Sequence, residues 1–168
     1  MPPIFTRLPT PLGELVLTAS DTALTGLYFA TSRDGPPPPA RQAGWVEDNG
    51  GSEVLAHARQ QLAQYFAGTR TTFDLPLDAA GSAFQQRVWD ALRAIPYGTT
   101  TSYGELARRL GDRKATRAVG AANGKNPIPI IVPCHRVVGA RGALTGFGGG
   151  MDRKRWLLEH EGSLLKLP

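Results

Sequence analysis

Three prolines within residues 127–133 place the tightest constraint on what this 168-residue chain can fold into. In Asn126-Pro127-Ile128-Pro129-Ile130-Ile131-Val132-Pro133, each proline removes a backbone donor and fixes φ, so the run is neither helix nor central strand. It reads as a stiff, apolar, irregular segment that delivers Cys134 and His135 to one place. A free thiol is only a few per cent ionised near neutrality and needs a base to become a nucleophile. Neighbouring residues on a strand point to opposite faces, so Cys134 and His135 can cooperate only across a bent backbone or through a water. Pro133 makes such a bend plausible. The plainer reading is a lone buried cysteine beside a surface histidine, and the pair alone does not decide between them.

The residues downstream are also suggestive. Thr145-Gly146-Phe147-Gly148-Gly149-Gly150 is a flexible loop able to bring backbone N–H groups near a ligand, although it matches no phosphate-binding fingerprint. Asp152 is expected to cap a helix running to about His160, with Trp156, Leu157 and Leu158 as its apolar contacts. Glu161 at its end meets an unfavourable dipole and gains from a cationic or imidazole partner, unless it is simply solvated.

Upstream, Ser82 is placed to cap a helix with Phe84, Val88, Trp89 and Leu92 on its buried face, stopped by Pro96-Tyr97-Gly98. Two short helices follow, Ser102 to Leu110 and about Lys114 to Asn123, separated by Gly111-Asp112-Arg113. That is the punctuation of a helix-turn-helix, a pattern most helix pairs show without binding nucleic acid. Gly120 inside the second helix costs about 1 kcal/mol against alanine. Either close packing on a neighbouring helix or close approach to a ligand backbone would account for it. The small residues around Arg117 let one long cation project from a smooth surface.

The first half reads as a small α+β unit. Glu14–Ala19 and Leu24–Phe29 form a hairpin across Ser20-Asp21-Thr22, and Gly35–Pro39 is a stiff exposed loop. Leu55, Ala58, Leu62, Tyr65 and Phe66 mark a helix from Ser52 that ends at Gly68, and Thr72–Leu77 is expected as an edge strand. Asp78-Ala79-Ala80-Gly81 is the natural boundary, giving domains 1–81 and 82–168.

Composition sets limits on function. No apolar run approaches the roughly 20 residues of a membrane span, and the N-terminus lacks a signal-peptide pattern. One cysteine and three scattered histidines (His57, His135, His160) offer neither an intrachain disulfide nor a metal-ligand cluster. A reduced, cytoplasmic protein without metal is the expectation. The net charge of +5 is unevenly spread. Residues 1–81 carry five Lys/Arg and eight Asp/Glu, which leaves 14 and six for residues 82–168, or −3 against +8. Such asymmetry suits a polyanion partner for the second half, or a solvated basic surface.

Taken together, Pro133-Cys134-His135-Arg136-Val137 after Asn126-Pro127-Ile128-Pro129 resembles the active-site signature of the O6-alkylguanine-DNA alkyltransferases. Phe84-Gln85-Gln86-Arg87-Val88-Trp89, Pro96-Tyr97-Gly98, Ser102-Tyr103, Ala118-Val119-Gly120 and Trp156-Leu157-Leu158 extend the likeness from about Phe84 to Gly162. The resemblance implies an α+β chain: a small ribonuclease-H-like N-terminal α/β domain and a mostly helical, winged-helix-like C-terminal domain with the helix-turn-helix. It implies irreversible transfer of the O6-alkyl group of guanine to Cys134, once per molecule and without cofactor. His135 would act as base through a water, and Glu161 would orient the imidazole. Tyr103 would donate toward N3 of the leaving guanine, and Asn126 would hold the turn before the reactive segment. Backbone groups of Cys134, Val137 and Gly148 would read the base, in a pocket shared with Pro129, Phe147 and Asn123.

O6 of a paired guanine lies inside the stack, so the nucleotide must be extruded. By resemblance the helix-turn-helix enters the minor groove of double-stranded DNA. Thr116, Ala118 and Gly120 would allow close approach, Arg117 would fill the vacated space, and Lys114, Lys125 and Arg136 would contact phosphates. A monomer is expected, with cooperative binding on DNA left open. Phe147 stands where many members have tyrosine, Gly146 where some have asparagine, and Asn123 where some have a bulkier apolar residue. The zinc ligands of some relatives are missing. Two other readings remain: a non-catalytic protein that flags alkyl lesions, whose members lack the cysteine, and a cysteine hydrolase.

Overall fold

The computed structural model describes residues 2–32 and 35–164, and the chain splits into two compact units at Ala80/Gly81. The first is α+β. Strands β1 (Ile4–Thr10), β2 (Gly13–Ala19) and β3 (Leu24–Phe29) pair antiparallel in sequence order, and the short β4 (Val46–Glu47) joins β1 in parallel, giving the order β3-β2-β1-β4. β2 is the centre of this sheet, and Leu15 to Ala19 are all buried, on both faces. A short helix, α1 (Pro38–Arg41), precedes β4. Helix α2 (Glu53–Phe66) starts at Ser52, whose hydroxyl accepts from Leu55 N, and packs Val54, Leu55, Ala58, Leu62 and Tyr65 against the sheet. Its end is marked by Gly68 at φ +80°.

Three details differ from the sequence expectation here. β1 was not foreseen, because only Leu8 of its seven residues is buried and Pro9 interrupts the alternation. The expected edge strand Thr72–Leu77 is irregular backbone. Its only ladder contact is a bridge between Leu77 and Leu24, with Leu24 N donating to Pro76 O and Asp78 N to Leu24 O; Pro76, lacking a donor, allows no more. The proline-rich loop Gly35–Pro39 becomes helical at Pro38, a first-turn position where a missing N–H costs nothing.

The second unit is mostly helical. Helix α3 (Ala83–Arg93) opens with a complete capping box between Ser82 and Gln85 and buries Val88, Trp89 and Leu92, while Phe84 is half-buried. Strand β5 (Thr101–Ser102) leads into α4 (Tyr103–Arg109), a 3-10 turn at Arg113–Ala115 and α5 (Thr116–Gly124). The irregular segment follows as expected and ends in a 3-10 turn over Cys134–Arg136. It continues into β6 (Val137–Val138), which pairs in parallel with β5. Helix α6 (Met151–His160) closes the unit. Asp152 does not cap it: the N-cap is Gly150 at φ +98°, and Asp152 lies in the first turn, where its charge meets the helix dipole favourably. Among the described residues no helix is long and apolar enough to cross a membrane.

Candidate active site

The turn at Cys134 is held from several sides. Asn126 closes the approach, its Nδ2 donating to Val132 O at 2.8 Å and its Oδ1 accepting from Ile128 N at 3.0 Å. Ile130, 1% exposed, takes φ +74°, a left-handed conformation in which a β-branched residue is a true outlier. Residues so strained persist only where the surroundings over-determine them, and here Pro129 before it, the Val132 N–H donation to Ile128 O across the turn and the buried side chain do so. Trp89 Nε1 donates to Ala122 O at 2.9 Å and fixes the end of α5, and Asn123 Nδ2 faces Cys134 O at 3.5 Å.

Cys134 is buried, and burial pushes its thiol up to about 11. A hydrogen bond with the Asn126 side chain, the Lys154 charge and its own backbone pull the other way. His135 is fully buried, and burial lowers its pKa against the opposing pull of Glu161, with the charges of Arg136 and Lys154 adding to the depression. Glu161, at the C-cap of α6, is also buried. Burial would raise its carboxyl, but hydrogen bonds and charge from His135 and Arg136 hold it down to about 2.

The tautomer follows from these charges. Glu161 is a carboxylate and accepts only, so the 2.8 Å contact from Oε2 to His135 Nε2 is an N–H donation by a neutral imidazole. Nδ1 then carries the free lone pair, and it is buried without a protein partner. This is a base whose orientation is fixed from behind by an acid 26 residues away.

Arg136 departs from expectation. It is 6% exposed, with Nε and Nη2 donating to the two oxygens of Glu161 at 2.8 and 3.1 Å and Nη1 to Ile95 O at 2.7 Å. A guanidinium committed in this way cannot serve as a phosphate contact. Burial of Glu161 demands a full countercharge, and a neutral histidine does not provide it.

The remaining predicted residues are at the surface or in the loop. On α5, Arg117 and Ala118 are exposed and Thr116 and Gly120 half-buried, while Val119, Ala122 and Asn123 face inward; Lys114 and Lys125 are exposed at either end. Arg108 and Arg109 are engaged by Glu105 on α4. A Cβ on Gly120 would lie 3.8 Å from Tyr103 Cδ1, an ordinary contact, so helix packing does not require glycine there. Tyr103 Oη donates to Thr145 O at 3.3 Å, at the start of the glycine-rich loop. In that loop Phe147 is buried and Gly148 exposed, and Pro129 and Val137 flank the reactive turn. Among the described residues no three His, Cys, Asp or Glu side chains converge as metal ligands.

One residue escaped sequence reasoning. Lys154 is fully buried, although its position was legible: Lys154, Leu157, Leu158 and Glu161 recur at i, i+3, i+4 and i+7 on the inward face of α6.

Comparison with known proteins identifies the family. The family model described as 6-O-methylguanine DNA methyltransferase, DNA binding domain, matches residues 83–163, and that family's ribonuclease-like domain matches residues 4–79. The methylated-DNA–protein-cysteine methyltransferase of Mycolicibacterium paratuberculosis is 51% identical over 152 residues, 90% of this chain and 88% of the relative. That of Bacillus subtilis, a constitutive form, is 43% identical over 94% of each chain. The crystal structure of Mycobacterium tuberculosis O6-methylguanine methyltransferase superposes with a TM-score of 0.85 at 50% identity, covering 96% of this chain and 93% of that one. With both halves matched in order and half the residues identical to a relative of nearly the same length, the chain belongs to the 6-O-methylguanine DNA methyltransferase family.

Proposed function

We propose that this protein repairs DNA by direct reversal, moving the alkyl group from O6 of guanine onto Cys134 once per molecule. The observation that carries the reading is the buried series Cys134, His135, Glu161, with the imidazole fixed as a neutral base. The thiol proton passes through a water to His135 Nδ1. The sulfur lone pair forms the S–C bond to the alkyl carbon as the C–O6 bond breaks, and the electron pair moves into the guanine ring. Tyr103 exchanges Thr145 O for N3 of the leaving base and donates there. Guanine thus gains one proton, the His135 imidazolium returns its own to the Tyr103 phenolate through water, and once solvent moves the ring proton from N3 to N1 the products are unmodified guanine and an S-alkylcysteine. The thioether is stable, so no second turnover follows.

Extrusion of the nucleotide falls to α5. Its exposed Arg117 and Ala118 and half-buried Thr116 and Gly120 suit the minor groove, with Arg117 filling the stack and Lys114 and Lys125 on phosphates. Backbone groups of Cys134, Val137 and Gly148 read the base, and Asn123, Pro129 and Phe147 border it. Residues 82–168 carry binding and chemistry, and residues 1–81 support them. The protein works as a monomer in the cytoplasm. A Mycobacterium tuberculosis relative 49% identical to this chain has been crystallised in complex with DNA, which supports DNA as the partner. Lesion flagging without transfer is disfavoured by Cys134 itself.

The test is a duplex holding one O6-methylguanine mixed with graded amounts of protein. Loss of the lesion in one-to-one proportion, abolished in Cys134→Ser, is expected. Turnover beyond one equivalent would contradict the reading.

A further inference from the structure

Among the described residues three buried side-chain atoms have no hydrogen-bond partner: Asn123 Oδ1, His135 Nδ1 and Ser163 Oγ. The His135 atom carries the lone pair that takes the thiol proton, and Ser163 lies beyond the end of α6. Asn123 Oδ1 has no role in the proposed chemistry. Its residue is 2% exposed, on the inward face of α5 at the last turn of that helix. Nδ2 of the same amide faces Cys134 O at 3.5 Å, the orientation that avoids setting two oxygens against each other. A buried acceptor without a donor costs stability, so one kept beside a reactive turn points to a donor brought by a ligand.

The groups around this acceptor indicate which edge of a base it meets. Tyr103 packs on the same helix, its Cδ1 standing 3.8 Å from where a Cβ on Gly120 would be. Gly120 and Asn123, three residues apart, are neighbours on one stripe of α5. Tyr103 brings a donor, Oη, and Asn123 an acceptor, Oδ1. The two complement the N3 edge of guanine, where N3 accepts and the adjacent 2-amino group donates. Alkylation at O6 takes the proton from N1, so N1, N3, N7 and O6 all accept. The 2-amino group is then the only N–H donor that the damaged base retains, and it alone can satisfy an unpartnered acceptor.

We propose that Asn123 is a specificity-determining residue of alkyl transfer, its Oδ1 accepting from the 2-amino group of the extruded guanine while its Nδ2 faces the Cys134 carbonyl. A base without that amine leaves the oxygen buried and unpaired, and is penalised for it.

This inference deepens the alkyl-transfer reading and rests on it. The test follows single-turnover transfer by the full chain from two duplexes. One holds a single O6-methylguanine, the other a single O6-methylhypoxanthine, the same base without the 2-amino group. Wild-type protein should take the methyl group from O6-methylguanine faster by about tenfold or more. Asn123→Leu is close in shape and has no polar atom. The ratio of its two rates should fall about tenfold from the wild-type ratio, with the greater loss on O6-methylguanine. The ratio is the readout because a purely structural defect, or loss of the Nδ2 contact with Cys134 O, slows both duplexes alike. A folded Leu variant that keeps the wild-type ratio would overturn the proposal, and so would wild-type protein that transfers equally from both. If the Leu variant does not fold, Asn123→Ala is read by the same ratio. Wild-type protein that takes no methyl group from either duplex overturns the alkyl-transfer reading and this inference with it, whereas an unchanged ratio with efficient transfer leaves that reading standing.

Discussion

His135 is pulled in opposite directions by its surroundings, and the balance makes stability depend on acid. Burial keeps the folded imidazole neutral below its ordinary value of 6.5, whereas the unfolded chain takes up a proton there. Glu161 stays ionised in the folded state down to about 2, but accepts a proton near 4.5 when unfolded. In both cases the unfolded state binds more protons, so stability rises with pH and is lost on acidification. The His135 contribution fades below 6.5 and the Glu161 contribution below 4.5. Urea midpoints should fall from pH 7 to pH 5, the unfolding free energy dropping by at most about 1.4 kcal/mol per pH unit for the one proton involved. His135→Gln should flatten that window while keeping the fall below 4.5. A midpoint equally flat between 7 and 5 in wild type would show that the imidazole is not held neutral. Cys134, His135, Asn126 and Glu161 were legible because a short motif and one later helix end carry them. Arg136 was not. A cation beside a reactive pair reads as a phosphate contact, and its turn inward is set by a carboxylate 25 residues away.

Among the elements, those with a strong apolar period were readable: α2 and α3 carry their buried positions and their serine caps openly. The others depend on partners. β1 owes its place to pairing along all of β2 rather than to its own pattern, and β5 and β6 are two-residue strands that exist only through each other. The left-handed backbone at Ile130 had no signal at all, since sequence patterns favour glycine there. α5 offers the clearest test at this scale. Gly120 has room for a methyl group and no positive φ, so Gly120→Ala should stabilise the protein by up to about 1 kcal/mol. The same methyl stands on the face proposed to meet DNA, and duplex affinity should fall by about tenfold, a cost of about 1.4 kcal/mol. Thermal unfolding and duplex titration measure the two effects together. Higher stability with undiminished affinity would remove α5 from the interface.

Over the whole molecule, charge is divided more sharply than chemistry. The −3 of residues 1–81 and +8 of residues 82–168 place the cations in the unit that also holds the reactive cysteine. Arg136 and Lys154 are buried, and Arg108 and Arg109 are paired, so the surface share falls to residues such as Lys114, Arg117 and Lys125. If these three meet phosphates, the logarithm of duplex affinity should fall with the logarithm of salt concentration at a slope of about −3, with little dependence on sequence. A slope near zero would leave the basic half a solvated surface.

Intact-protein mass spectrometry reads directly whether Cys134 itself keeps the alkyl group. After mixing with duplex DNA carrying one O6-methylguanine, the protein should gain one methylene mass stoichiometrically, mapped to Cys134 and absent in Cys134→Ala. An unchanged mass in a protein that binds the lesion tightly would contradict transfer to Cys134 and leave only recognition without repair.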